Sequence, residues 1–299
     1  MNLFWQEAIE RITKFAKIAD KMGFEIALGF SGGKDSQVCY DLCKLAEIHF
    51  KAYYNEAFES NITKSFIREY YPDVIWRRNV VGFFENIRVN HSGYLPTVES
   101  AYCCSDYKHN AKFIDDCVIT GVRRAESAKR RIRQTFEFKN KTTAKRNKEI
   151  VGEYFSDNCI GTGSASVITL KPIIDWTDDD IWDYIRFRNL PINPEYKDFN
   201  RVGCMICPKA NFNSNATMLL RYPKLIDCVI SSRDRSEHPH DWIITSENKD
   251  YSDNKVEYIC RWLNHSFRPF TKKQQKMFEK VKEKYMTMKM IKISKKCLE

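Results

Sequence analysis

The stretch "ALGFSGGKDSQVCY", Ala27 to Tyr40, sets an apolar run against a small-residue turn and then places Lys34, Asp35 and Ser36 side by side. It reads as a strand, a glycine turn and the opening of a helix. In that arrangement consecutive backbone N–H groups point at one spot, and the helix dipole adds partial positive charge there. Gly32 and Gly33 let the backbone approach phosphate oxygens and adopt positive φ, Ser31 and Ser36 add hydroxyl donors, and Lys34 supplies a point charge. Asp35 would repel a phosphate unless a divalent cation lay between them, so Mg²⁺ is expected with Asp35 as its holder. The spacing G-x-x-x-x-G-K-[ST] is absent, which sets the loop apart from ordinary P-loop nucleotide hydrolases.

The rest of the chain supplies the setting. Its 299 residues with 43% apolar content suffice for a real core, and no window approaches the roughly 18 uninterrupted apolar residues of a membrane span. A cytoplasmic protein without membrane contact is expected. Eleven cysteines at irregular spacing favour thiols or a metal centre over a disulfide framework. The net charge of +10 favours anionic partners without choosing among them.

Strand-like runs alternate with helix-like segments: "EIALGF", "HFKAYYNEAF", "VIWRRNVV", "CVITGV" and "VITLKPI" against "DSQVCYDLCKLAE", "ITKSFIREYY" and "TDDDIWDYIRFRNL". In the last of these, Thr177 and Asp180 match a capping box. The alternation predicts an α/β fold with a Rossmann-like parallel sheet flanked by helices. Residues 1–22 read as an amphipathic helix packed on the core and 23–210 as the nucleotide-binding α/β domain. Residues 211–299 read as a mostly helical, basic region.

The hexapeptide Ser31 to Ser36 after a strand resembles the pyrophosphate loop (PP-loop) of the adenine nucleotide alpha-hydrolase superfamily, whose Rossmann-like fold is of the HUP type. Members cleave ATP between the α and β phosphates. "CVITGVRRAESAKR" (117–130) and "LKPIIDWTDDDIWDYI" (170–185) resemble segments of the phosphoadenylylsulfate (PAPS) reductase family, and the likeness covers roughly residues 20–210. It implies a site for ATP, or for adenylylsulfate or PAPS. Gly121 would end a strand at the edge where open parallel sheets bind ligands, with Arg123, Arg124 and Arg130 set to meet phosphate or sulfate oxygens. Lys34, Asp35, Arg123 and Arg124 are the implied catalytic set.

"YCCSDYK" places Cys103 beside Cys104, and "GCMICPK" places Cys204 and Cys207 in a C-x-x-C turn. With Lys108 four residues after Cys104, the pattern resembles iron-sulfur adenylylsulfate reductases and the DNA phosphorothioation enzymes. It implies a [4Fe–4S] cluster on the four cysteines, with Lys108 beside it. A Zn²⁺ site and unligated thiols are the alternatives. Cys39 and Cys43 read as core. Cys159, His238 and His240 show no convincing ligand spacing.

The family's reductases commonly lack the Lys-Asp pair of the loop and end in Glu-Cys-Gly-x-His. This chain keeps Lys34 and Asp35 and offers near its end only "KKCLE", with Cys297. The resemblance thus implies an ATP-dependent adenylating enzyme that supports sulfur transfer. A sulfonucleotide reductase and a non-catalytic ATP-binding subunit of a modification or defence complex are the alternatives. The basic stretch from Arg123 to Lys148, with Phe136 and Phe138 interleaved, and the lysine-rich tail make tRNA or DNA the expected acceptor. A sulfur donor such as a cysteine desulfurase, or a thiol reductant, would complete the partners.

Overall fold

The apolar run before the glycine turn forms strand β1, Ile26–Phe30. The computed structural model describes residues 3–109, 117–138, 168–234, 255–264 and 269–296. Strand β1 pairs in parallel with β2 (Lys51–Asn55) on one side and with β4 (Cys117–Ile119) on the other. Beyond β2 lies β3 (Ile75–Arg77), parallel to it, and beyond β4 lies β6 (Ile168–Leu170), also parallel. Strand β5 (Phe136–Phe138) closes that edge, antiparallel to β6. The order β3-β2-β1-β4-β6-β5 makes the expected Rossmann-like α/β sheet. It also puts a topological switch point between β1 and β4, where open sheets of this kind bind ligands beyond the strand ends.

The chain divides into two compact units. The first comprises Met1–Glu56, Ser60–Arg78 and His109–Gly203, and holds the sheet. Its core joins Leu28, Phe30, Val38, Leu42, Ile119 and Ile168 with the stripe Ala8, Ile12, Phe15 and Ala19 of helix α1 (Leu3–Met22). The helical spacing read in the sequence accounts for that stripe, although Leu3 and Phe4 at its start are exposed. Helices α2 (Lys34–Leu45) and α3 (Asn61–Tyr70) follow their strands as the alternation requires. Thr177 caps the helix Asp178–Phe187 as expected: its Oγ1 accepts from the Asp180 N–H at 3.2 Å, and Asp180 Oδ2 accepts from the Thr177 N–H at 2.7 Å.

Strand β5 is not legible in the sequence, because its three residues sit inside a basic run. All three are buried, and Glu137 between the two phenylalanines is paired with Lys171 at 3.0 Å and Arg133 at 3.0 Å. The expectation that Phe136 and Phe138 stand ready to stack on bases is corrected here. At 7% and 0% exposure both rings belong to the core.

The second unit comprises Ala57–Glu59, Asn79–Lys108 and Cys204–Glu299. Its core is helical and joins Phe83, Ile87, Phe212, Leu219, Ile226, Ile259, Trp262 and Val281. The long helix Lys272–Lys296 buries Phe278, Val281 and Tyr285, one stripe at helical spacing, and its sequence carries ten lysines against two glutamates. All four cysteines of the two pairs lie in this unit. No helix among the described residues is long and apolar enough to cross a membrane.

Candidate functional site

In the first unit the glycine loop leaves β1 and enters α2 at the switch point. Gly32 takes φ +71°, whereas Gly33 is the N-cap of α2 with φ −90° and ψ 159°. Of the two expected positive φ values only one is needed, because an N-cap residue is extended. A Cβ on Gly32 would stand 2.9 Å from the Ile67 side chain, so both space and backbone require glycine there. The Gly32 carbonyl accepts from Gln37 Nε2 at 3.1 Å and from Asn193 Nδ2 at 3.0 Å. The Ser31 N–H goes to Ser36 Oγ at 3.2 Å, and the Lys34 N–H goes to the Tyr196 hydroxyl at 2.8 Å. The amides of Gly32, Asp35 and Ser36 have no hydrogen-bond partner among the described residues. They are the orphan donors that a helix start offers to an anion.

The charged residues of the loop form a compact group. Arg123, 1% exposed, donates from Nε to Asp35 Oδ1 at 2.6 Å, from Nη1 to the Trp176 carbonyl at 3.2 Å and from Nη2 to Asp178 Oδ1 at 2.5 Å. Lys34 Nζ lies 3.2 Å from Asp178 Oδ1 and 3.6 Å from Asp35 Oδ2. Burial opposes the charge on Asp178, but Arg123 and Lys34 outweigh it and hold the carboxyl below its usual range. Asp178, the first residue of its helix, is a member of this group that the sequence did not single out. A signal was available: it directly follows the capping Thr177 in the family-like segment.

The other expected nucleotide-site residues fall around this group. Gly121, just past β4, packs directly on the loop: a Cβ there would stand 2.9 Å from the Asp35 carbonyl carbon and oxygen. Arg124 pairs with Asp175 and donates to the Arg133 carbonyl at 3.1 Å. Arg130 is half-buried and pairs with Glu126. Burial and the Arg201 charge depress its pKa, with Arg123 and Arg133 acting the same way and Asp35 against them. That surplus of positive charge is what an anion would relieve. Asp35 offers oxygen donors of the kind magnesium takes together with substrate phosphates, so its chemistry fits the ion.

In the second unit Cys103, Cys104, Cys204 and Cys207 form no disulfide, and all are half-buried. A hydrogen bond with Cys104, burial, and then the charges of Cys104, Cys204 and Cys207 push the Cys103 thiol up. The four sulfurs therefore share one neighbourhood. Burial pushes the Cys204 thiol up to about 12, with Lys108 working against it. Burial also opposes the Lys108 charge, but Cys204 and Glu59 prevail and hold its pKa above the usual range. Lys108 Nζ lies 2.9 Å from Glu59 Oε1. The cost of ionising Cys103 and Cys204 is one that the charge of a thiophilic cation would remove. Among the described residues no group of three or more His, Cys, Asp or Glu side chains stands in a ready metal-holding arrangement. Cys39 and Cys43 are core, as expected. Cys159, His238, His240, Cys297 and the basic residues 139–148 lie outside the described residues.

Residues 105–210 match the model of the phosphoadenosine phosphosulfate reductase domain. That segment is similar to the domain of the PAPS reductase family. Among its relatives, an uncharacterised protein of Methanocaldococcus jannaschii is 24% identical over 251 residues, 80% of this chain and 55% of that protein. Sulfate adenylyltransferase subunit 2 of Bacteroides thetaiotaomicron is 29% identical over 138 residues, 46% of this chain and 42% of the relative. Adenosine 5'-phosphosulfate reductase of Staphylococcus epidermidis is 37% identical over 49 residues, 16% of this chain and 20% of the reductase. The chain spans about half the length of the first two relatives.

Proposed function

We propose that this PAPS reductase-family chain cleaves ATP between its α and β phosphates to adenylate an acceptor, and that it supports sulfur transfer to that acceptor. The observation that carries this reading is the orphan amides of the glycine loop, set at the β1–β4 switch point beside Lys34 and Asp35. In the proposed reaction an acceptor oxygen attacks the α-phosphorus, the bond to the bridging oxygen breaks, and pyrophosphate leaves while the acceptor's proton passes to solvent. The loop amides and Lys34 stabilise charge on the departing pyrophosphate. Asp35 would hold Mg²⁺, which supplies charge neutralisation between carboxylate and phosphate. Arg123 holds the Asp35 carboxylate, and Arg124 and Arg130 are candidates for meeting the anionic substrate.

The four cysteines of the second unit would hold a [4Fe–4S] cluster, with Zn²⁺ as the alternative. A cluster would supply redox and sulfur chemistry, and Lys108 would offset its charge. The lysine-rich helix Lys272–Lys296 supports nucleic acid as the acceptor class. The relatives named sulfate adenylyltransferase subunit 2 support sulfate as a further acceptor to test, and a companion subunit as a partner. A cysteine desulfurase or a thiol reductant would supply sulfur or electrons. The second reading, reduction of adenylylsulfate to sulfite, is favoured by the paired cysteines and by the relatives named adenosine 5'-phosphosulfate reductase.

One assay separates the readings. Anaerobically purified protein receives ATP and Mg²⁺ with tRNA, duplex DNA or sulfate, and separately adenylylsulfate with a thiol. Acceptor-dependent AMP transfer with pyrophosphate release is expected. Sulfite from adenylylsulfate, with no cleavage of ATP under any acceptor, reverses the ranking.

A further inference from the structure

The turn that follows the helix Asp178–Phe187 bears on the glycine loop. Asn193, 0% exposed, starts the short turn Pro194–Lys197, and its Oδ1 accepts from the Glu195 N–H at 3.0 Å. Its Nδ2 donates to the Gly32 carbonyl at 3.0 Å and reaches Thr63 Oγ1 at 3.4 Å. Glu195, 2% exposed, accepts from the Ser60 hydroxyl. A buried amide and a buried carboxylate thus pin the turn to the loop and to the start of α3. Buried polar groups satisfied in this way hold their geometry closely.

What the pinned turn delivers is Tyr196. Its hydroxyl oxygen accepts from the Lys34 N–H at 2.8 Å and would lie 3.4 Å from a Cβ built on Gly33, while its ring packs edge-on against Trp182 at 5.1 Å. A phenol can accept and donate at once. Accepting from Lys34 leaves its own proton without an acceptor among the described residues. Burial raises the pKa of this phenol against the opposing Lys34 amide, so the hydroxyl keeps that proton at neutral pH.

The geometry points to Tyr196 as a further nucleotide-binding residue: its O–H donates to a non-bridging phosphate oxygen seated on the glycine loop while its oxygen keeps the Lys34 amide. Asn193 is the positioning residue that holds the turn against Gly32. This inference rests on the reading of the loop as an adenine nucleotide site. It adds to that reading a neutral donor delivered from a segment some 160 residues away in sequence.

The test is calorimetric titration of the full chain and of Tyr196→Phe with ATP plus Mg²⁺, with pyrophosphate as a probe lacking the base, and with adenosine as a probe lacking phosphate. Thermal melting of both proteins accompanies it. Tyr196→Phe keeps the ring against Trp182 and removes the hydroxyl, which is both the donor offered to phosphate and the acceptor of the Lys34 N–H. Affinity for ATP and pyrophosphate is expected to fall roughly ten- to a hundredfold, the range of a hydrogen bond to a charged group, with adenosine binding unchanged and a single cooperative melting transition retained. Tighter ATP binding by Tyr196→Phe would mean that the hydroxyl plugs the loop, and it overturns the proposal. Unchanged affinity, or equal losses for adenosine and ATP, overturns it as well. If the wild-type chain binds neither ATP nor pyrophosphate, the reading of the loop falls and takes this inference with it.

Discussion

Arg123 donates from Nε to Asp35 Oδ1 at 2.6 Å, joining two residues 88 positions apart and fixing the acidic side chain of the glycine loop. The same guanidinium reaches Asp178, so two carboxylates and the Lys34 ammonium are arranged about one buried cation. Replacing Arg123 by Leu is expected to destabilise the chain by about 3 kcal/mol, the low end for breaking a buried pair, because Asp178 is substantially exposed. Arg123→Lys should recover little of this, since one ammonium cannot copy a planar fork directed at three acceptors. A urea midpoint for Arg123→Leu equal to that of the wild type would contradict the arrangement.

Gly121 and Gly32 are expected to fail for different reasons when replaced by Ala. At Gly121 the new methyl meets the Asp35 main chain, which has to shift, so nucleotide affinity falls at a stability cost of about 1–3 kcal/mol. At Gly32 the methyl meets Ile67 and the residue must also hold φ +71°, which adds about 1 kcal/mol of backbone strain. Paired melting and ATP-binding measurements check this. Wild-type nucleotide affinity for Gly121→Ala would sink the claimed contact between that glycine and the loop.

Glu137 predicts an acid-side signature. Burial works against its charge, but the Lys171 hydrogen bond and charge, the Gln134 amide and Arg133 hold its carboxyl below the usual range. A carboxyl whose folded pKa is depressed stabilises the protein above its unfolded value, about 4.3, and loses that contribution as pH falls through the folded value. The urea midpoint of the wild type should therefore drop more steeply below about pH 4.3 than that of Glu137→Gln. Parallel curves for the two proteins would remove Glu137 from the account.

The thiol neighbourhood predicts metal retention. Anaerobically purified wild type should carry iron and acid-labile sulfide, or zinc, and Cys103→Ser or Cys204→Ser should lose at least about half of it, as expected when one of four ligands is removed. Cys228→Ser, at an exposed cysteine of the same unit, should retain the full amount. Wild-type protein free of iron, sulfide and zinc would reject a metal role for the four cysteines.

Much of the fold was legible because its signals are local. The run Ile26–Phe30 ahead of two glycines announced a strand, the apolar spacing of α1 announced its buried face, and Thr177 with Asp180 announced a helix start. Strand β5 was hidden because its one polar residue is neutralised by Lys171, which lies 34 positions further along the chain. Phe136 and Phe138 were misread for the same reason: a basic surrounding sequence says nothing about which rings the sheet covers.

What the sequence determined by itself was the glycine loop, its lysine and aspartate, the paired cysteines and the alternation that makes the sheet. These are set by spacing along the chain and by the conformations that single residues allow. Only the tertiary structure decided that Arg123 spends its donors on Asp35 and Asp178, that Asn193 grips the Gly32 carbonyl, and that Tyr196 meets the Lys34 amide. Hydrogen-bond partners this far apart in sequence are chosen by the packing of strands and helices, and no local pattern records that choice.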